Sequence, residues 1–280
     1  MAAPVITPYL DAAPCPRVEV FFDSFLADAA TVTVFRLAGG RTFEVRGAVR
    51  SPVAGALTRI DNEVPFNIPV TYRAEMFNSD GVSLGFTEGG TVTLNVAETW
   101  VHNPLDPFGA LSVDLGSGTA GAVTRPTPGT VSYPLGRRVG VVLSEPRRGV
   151  AGIPVDIRTR SDADANKVQA LVGGYDKNSV PIVCLRLGLD DQRMRVPQPL
   201  FLSAFDLAEV DVNHQWVGDG GELAHTFTGD EVSPPIPGLY IATLRYMDVS
   251  ARYATYALLR GGNLTYGQLS RRYELAGLGG

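Results

Sequence analysis

The chain has 280 residues and a formal net charge of −5, with only 19% of its residues charged. That length can bury two ordinary cores or one large β domain, and a mild acidity without a basic stripe argues against nucleic-acid binding. The 31 glycines and 20 prolines favour strands and turns over long helices. No apolar run approaches the roughly 20 residues of a membrane helix, so membrane insertion is not expected. The N-terminus lacks the basic and apolar regions of a secretory signal, which predicts folding in a cytoplasm.

Residues 1–17 carry Pro4, Pro8, Pro14 and Pro16 and read as an extended N-terminal arm, because proline fixes φ and removes a donor. Val18–Phe22, Ala30–Arg36 and Thr42–Val49 read as strands, with Gly39-Gly40 as a turn. Arg59–Pro65 reads as a connection. The clearest signal is Val70–Phe77, where Val70, Tyr72, Ala74 and Met76 alternate with Thr71, Arg73, Glu75 and Phe77. Asn78-Ser79-Asp80-Gly81 supplies turn chemistry, with Gly81 expected at positive φ, and Val82–Phe86 resumes the strand. Gly90–Val96 closes this first unit, with Trp100 packed on its end.

Residues 103–134 read as a linker, rich in Gly, Thr, Ser and Pro from 114 onward. A second β-rich unit is expected over 135–247. Its strands are Arg138–Ser144, Gly152–Thr159, Pro181–Leu187, Pro199–Asp206, Glu209–Asn213 and Gly238–Tyr246. Ser161-Asp162-Ala163-Asp164 starts one helix, whose apolar stripe ends at Gly173-Gly174. Residues 214–232 read as loop or irregular β structure. A segment over 248–280 contains a short repeat: Ala254-Thr255-Tyr256-Ala257-Leu258-Leu259 is echoed by Leu264-Thr265-Tyr266-Gly267-Gln268-Leu269. Two short helical turns are expected there. Tyr253, Tyr256, Tyr266 and Leu269 would dock on something apolar, because such short helices do not persist alone.

Chemistry is sparse. His102, His214 and His225 show no i, i+4 pairing, and Cys15 and Cys184 have no ligand spacing, so neither metal nor cofactor is expected. Cys184, in an apolar run, reads as a free buried thiol with no bond to Cys15. Asp162 and Asp164 are explained by the helix start, and Asp190-Asp191 by a solvated turn. Asp80 and Glu88 form a weak candidate for a glycosidase pair, and no nucleophile or phosphate-loop pattern occurs. Arg137-Arg138 and Arg147-Arg148 read as solvated loop charges. Trp216, Phe227 and Tyr240 form either a sugar-stacking surface or core packing.

Two resemblances are carried by these residues. Tyr72-Arg73-Ala74 followed by Asn78…Gly81-Val82-Ser83 resembles the penultimate strand and turn of a fibronectin type III-like sandwich. In that setting Tyr72 would be a corner tyrosine, with a buried ring and its hydroxyl bonded to nearby backbone. The resemblance implies a mainly β chain with a fibronectin III-like sandwich over 18–102. Any other antiparallel hairpin remains open on the residues themselves.

The order Gly136-Arg137-Arg138-Val139, Arg147–Gly152, Ile157-Arg158-Thr159, Ser161–Asp164, Pro181–Leu187, Pro199–Ala204 and Asp206–Glu209 is similar to minor tail proteins of long-tailed actinobacteriophages. The Thr-Tyr-x-x-Leu repeat resembles their C-terminal segments. That resemblance implies a non-enzymatic virion protein near the tail tip, assembled in the host cytoplasm. Its implied partners are the tail tube, tape measure and hub proteins and further copies of itself, as a trimer or hexamer. A carbohydrate-binding module that recognises the host envelope by a surface glycan is the alternative from another class, and a cell-wall glycan hydrolase is a third.

Overall fold

The computed structural model describes residues 2–53, 55–173, 179–212, 222–236, 246–261 and 269. Alternation does most of the work in the first part of the chain. Nine strands form there: β1 (Val5–Tyr9), β2 (Arg17–Phe22), β3 (Thr31–Ala38), β4 (Arg41–Glu44), β5 (Ser51–Pro52), β6 (Leu57–Asp61), β7 (Val70–Phe77), β8 (Ser83–Phe86) and β9 (Gly90–Val92). β1, β2 and β6 make a three-stranded antiparallel sheet, and the others a second sheet centred on the β3–β7 pair. Val18, Val20 and Phe22 of the first sheet share one buried core with Val32, Val34, Val70, Ala74 and Met76 of the second. Burial of these alternate side chains from both sheets is the main stabilising term of this part. Gly81 has φ +77° in the β7–β8 turn, as its sequence context requires.

Three expectations change here. Residues 5–9 of the arm are a strand paired with β2, so the prolines break helix without preventing edge pairing. Strand β6, residues 57–61, takes in the start of the connection expected over 59–65. Its inward face carries Asp61 as well as Leu57, and a charge at a core position hides the apolar period. Tyr72 is fully buried, but its hydroxyl donates to the carboxylate of Asp61 at 2.8 Å rather than to backbone.

That carboxylate is the centre of a buried network. Arg36 and Tyr72 are cross-strand partners on the inward face of β3 and β7. Arg36 Nη1 donates to both oxygens of Asp61, at 2.6 and 2.7 Å, from the opposite sheet. Glu63 accepts from Arg46 Nε at 2.7 Å and lies 3.8 Å from Arg36 Nη2. Burial opposes the charge on Arg36, but Asp61 and Glu63 outweigh it and raise its pKa further. Burial, then the negative charge of Asp61, pushes the Tyr72 hydroxyl well above its ordinary value.

The second part is a seven-stranded antiparallel sheet with the order β16-β15-β10-β11-β14-β18-β17. Its members are β10 (Thr99–Asn103), β11 (Asp106–Leu115), β14 (Ile153–Thr159), β15 (Ile182–Arg186), β16 (Leu200–Ser203), β17 (Ala208–Asp211) and β18 (Leu223–Gly229). A separate two-stranded ribbon is made of β12 (Gly129–Ser132) and β13 (Val141–Ser144). Helix α1 (Asp162–Ala170) starts at Ser161, whose side chain accepts from the Asp164 amide, and Gly173 follows its end with φ +105°. Val168 and Leu171 of this helical segment pack in the second core with Val101, Leu111, Val155, Ile157 and Phe227.

The expected linker over 103–134 therefore contributes β11, with Leu111 and Val113 buried, to the middle of this sheet. The stretch 214–232, read as loop or irregular β structure, contains the regular strand β18, paired with β14 through seven residues. Its buried His225 interrupts the apolar pattern and bonds the Thr159 hydroxyl at 3.0 Å.

Strands β10 and β15 are buried on both faces, and this joins the two parts. Val101, Val183 and Leu185 face the second core, while Trp100 packs in the first. Register places His102 opposite Cys184 and Trp100 opposite Arg186. Fully buried Arg186 donates to Pro16 O at 2.7 Å and lies over the Phe66 ring, 4.5 Å from its centroid. Phe43 and Phe201 stack across the same junction at 6.0 Å, and Arg41 pairs with Glu231 at 2.8 Å. Cys15 and Cys184 are both buried, free thiols, and burial raises the Cys184 pKa.

Two outcomes are expected from this packing. Replacing Asp61→Ala strands Arg36 and the Tyr72 hydroxyl, and should cost about 3–5 kcal/mol in urea unfolding; a loss below about 1 kcal/mol would mean that water replaces the carboxylate. His102 is buried without a hydrogen-bond partner, and burial, then the charges of Arg186, Arg46 and Arg36, hold its pKa well below 6.5. The unfolded chain takes that proton near 6.5 and the folded chain does not, so the stability contribution is present above 6.5 and is lost as pH falls below it. His225, also lowered by burial, acts in the same direction. Melting curves between about pH 5 and 7 should show this slope, and His102→Leu should flatten it; an unchanged slope would exclude His102 as its source.

Candidate assembly surface

The ribbon β12–β13 is the largest departure from the expected layout. Residues 138–144 read as a strand of the second unit, and Val139, Val141, Val142 and Leu143 form an apolar run. In the structure all eight residues of the two strands are exposed. The hairpin is closed by a turn in which the Arg137 amide donates to Pro134 O at 3.0 Å. Gly136 takes φ +84° at the third position, where a type II turn needs it. The strands pair from Gly129↔Ser144 to Ser132↔Val141 and, among the described residues, hydrogen-bond to no other strand.

Apolar side chains lie along the whole ribbon. Val131, Tyr133, Leu135, Val139, Val142 and Leu143 are all exposed, Tyr133 and Val142 at 69%. A lone two-stranded hairpin is marginal in water, and an apolar patch of this extent on a monomer marks an interaction surface. The ribbon also carries Arg137 and Arg138 at its tip and Arg147 and Arg148 at its base. Arg148 pairs with Glu145 at 3.2 Å, in water.

The opposite charge lies at the edge of the main sheet. Among the described residues β17 is the last strand of its sheet, paired only with β18, and all four of its residues are exposed. Asp206, Glu209 and Asp211 make this edge acidic, and Phe205, Val210 and Val212 are exposed along it. Glu209 accepts from Gln169 at 3.1 Å and lies 3.7 Å from His225 Nδ1. This edge offers unpaired backbone groups, apolar side chains and negative charge, and the ribbon offers their complements.

The C-terminal segment supplies a second exposed apolar surface. Residues 238–245 of the strand expected over 238–246 lie outside the described residues; helix α2 (Tyr246–Arg252) starts at its last position, and α3 (Tyr256–Gly261) overlaps the first copy of the repeat. Among their described side chains none belongs to the two cores. Tyr256 and Leu258 are exposed, and the Arg252 guanidinium lies over the half-buried Tyr253 ring at 5.5 Å. Leu269 is helical and half-buried, whereas Tyr266 lies outside the described residues. The structure does not bring Tyr72 and Gly81 to this surface: Tyr72 lies inside the first core, and Gly81 in the β7–β8 turn.

The weaker chemical candidates separate. His102 and His225 are buried at different places in the sheet, and His214 lies outside the described residues. Among the described residues no group of three His, Cys, Asp or Glu is placed to hold a metal ion. Asp191 accepts from the Thr99 hydroxyl at 2.6 Å, and Asp162 and Asp164 occupy the first turn of α1. Phe227 is buried in the second core, so it cannot stack on a sugar, while Trp216 and Tyr240 lie outside the described residues.

Replacing Val131→Ser together with Val142→Ser removes apolar surface that no core uses. Folding stability should change by less than about 1 kcal/mol, with an unaltered β-type circular dichroism spectrum. A larger loss would place these side chains in an intramolecular contact.

No protein-family model, curated protein or solved structure matches the chain.

Proposed function

We propose that this chain is a structural subunit that assembles with further copies of itself, each docking its β12–β13 ribbon on the β17 edge of the next. The free-standing apolar ribbon carries this reading. Among the described residues neither core uses it, and its arginines complement the acidic edge. A contact between two different patches is heterologous, and repeated around an axis it closes into a ring. The exposed tyrosines and leucines of the C-terminal segment are a second docking element of the same assembly.

The motif order that resembles actinobacteriophage minor tail proteins gives the ring its setting. The proposed role is that of a virion protein at the distal end of a phage tail, a collar contacting tube, tape-measure and hub proteins. This role calls on no catalytic residue. The burial of Phe227 removes one of the three aromatics on which the glycan-binding alternative rests.

Native mass measurement tests the assembly. The full chain should form a closed oligomer at micromolar concentration. The Val131→Ser/Val142→Ser protein, and separately a chain lacking residues 261–280, should lose assembly while still melting cooperatively. A wild-type chain that stays monomeric, or variants that assemble as well as it does, would overturn the ring. The tail setting fails if purified particles of a phage encoding the chain do not contain it in a copy number fixed by symmetry.

A further inference from the structure

A cleft of about 690 Å³ lies between the β11–β12 connection, the base of the ribbon and residues 193–195. Sites for small molecules run from about 300 to 1,000 Å³. Four arginines line it: Arg125, Arg147, Arg193 and Arg195. They come from three separate segments, which explains why no basic stripe is visible in the sequence. Backbone carbonyls, not carboxylates, link Arg125, Arg147 and Arg195. Arg125 Nη2 donates to Arg195 O at 2.7 Å, and Arg147 Nε to Arg125 O at 3.4 Å. Among the described residues no carboxylate lies within ion-pair distance of any of the four. The carboxylate against the cleft wall, that of Asp156 beside Gly116, is already held by Arg158 at 2.6 Å.

The facing wall is rigid. The Thr119 hydroxyl donates to Asp156 O and accepts from Asp156 N, at 3.1 and 2.9 Å, and the Gly116 and Ala120 amides bond the backbone of β14. The exposed Ser117 is left at the mouth of the cleft. Four like charges gathered without a counter-ion repel one another, so the arrangement is unfavourable until an anion fills it. Guanidinium forks match the oxygens of a phosphate group in pairs. Among the described residues no aromatic side chain lines the cleft, so they offer no platform for a nucleobase. Ala120, Val123 and Met194 supply a small apolar wall suited to a short carbon skeleton.

We infer that this cleft binds a phosphorylated polyol or sugar, with the four arginines on the phosphate and Ser117 on a hydroxyl. The ligand is either a free small molecule or one unit of a phosphodiester polymer. The inference does not depend on the ring or on its phage setting.

Calorimetric titration of the full chain with inorganic phosphate, glycerol 3-phosphate and a poly(glycerol phosphate) chain tests it. Glycerol 3-phosphate should bind more tightly than phosphate, with affinity falling as salt rises. Tighter binding of the polymer per phosphate identifies the polymer as the source, and equal binding the free ester. Replacing Arg193→Ala with Arg195→Ala, both exposed, should weaken binding by about tenfold or more. Arg137→Ala with Arg138→Ala, at the ribbon tip and outside the cleft, should not change it. Absence of heat with all three probes, unchanged binding in the Arg193/Arg195 variant, or tighter binding of a single-stranded oligonucleotide would overturn the inference.

Discussion

The contact between Arg36, Asp61 and Tyr72 sets the geometry of the first part of the chain. Its members come from both sheets that enclose the core: Arg36 and Tyr72 from β3 and β7, Asp61 from β6. Hydrophobic burial alone would let two apolar sheet faces slide over one another, because it has no direction. A guanidinium donating to both oxygens of a carboxylate, with a phenol on one of them, permits one register. Glu63 and Arg46 extend the network, and Arg46 donates to the carbonyls of Pro235 and Ile236. One charge system thus reaches from the first core to the segment at Pro235 and Ile236.

The junction between the two parts depends on strands with two buried faces. β10 and β15 send Val101, Val183 and Leu185 one way and Trp100, His102, Cys184 and Arg186 the other. The second group is polar for core residues. A neutral histidine, a thiol and an arginine over an aromatic ring tolerate each other only where charge is balanced across a wider cluster. Separation of the parts would expose Arg186 and lose its bond to Pro16, so the parts behave as one packed unit rather than two beads on a linker.

The surface carries the opposite message. The same chain that hides Arg17, Arg36 and Arg186 completely leaves valines and leucines of the ribbon in water. A protein that can bury arginine has no difficulty burying leucine, so a deficit of core does not account for the exposed ribbon. Its location beside the arginine-lined cleft places an exposed apolar surface and a cluster of arginines within one region, built from segments that are distant in sequence.

Local periodicity determined much of the fold in advance. β2, β3, β7, β14, β15 and β16 were legible because alternation or an unbroken apolar run needs no knowledge of partners. The Ser161 cap, the Gly173 stop and the positive φ of Gly81 were legible because they are set by backbone chemistry within a few residues. β6, β11 and β18 were not, because Asp61, Pro107 and Gly109, and His225 stand at strand positions whose polarity or shape is compensated only from another element. The apolar run at 139–143 was legible as a strand but not as an exposed one, since burial depends on what faces the strand and period two is the same in either case. The hydroxyl partner of Tyr72 and the convergence of Arg125, Arg147, Arg193 and Arg195 were decided by tertiary structure alone. Hydrogen bonds and charge clusters act through space over a few ångströms, and the chain brings those atoms together from tens of residues apart.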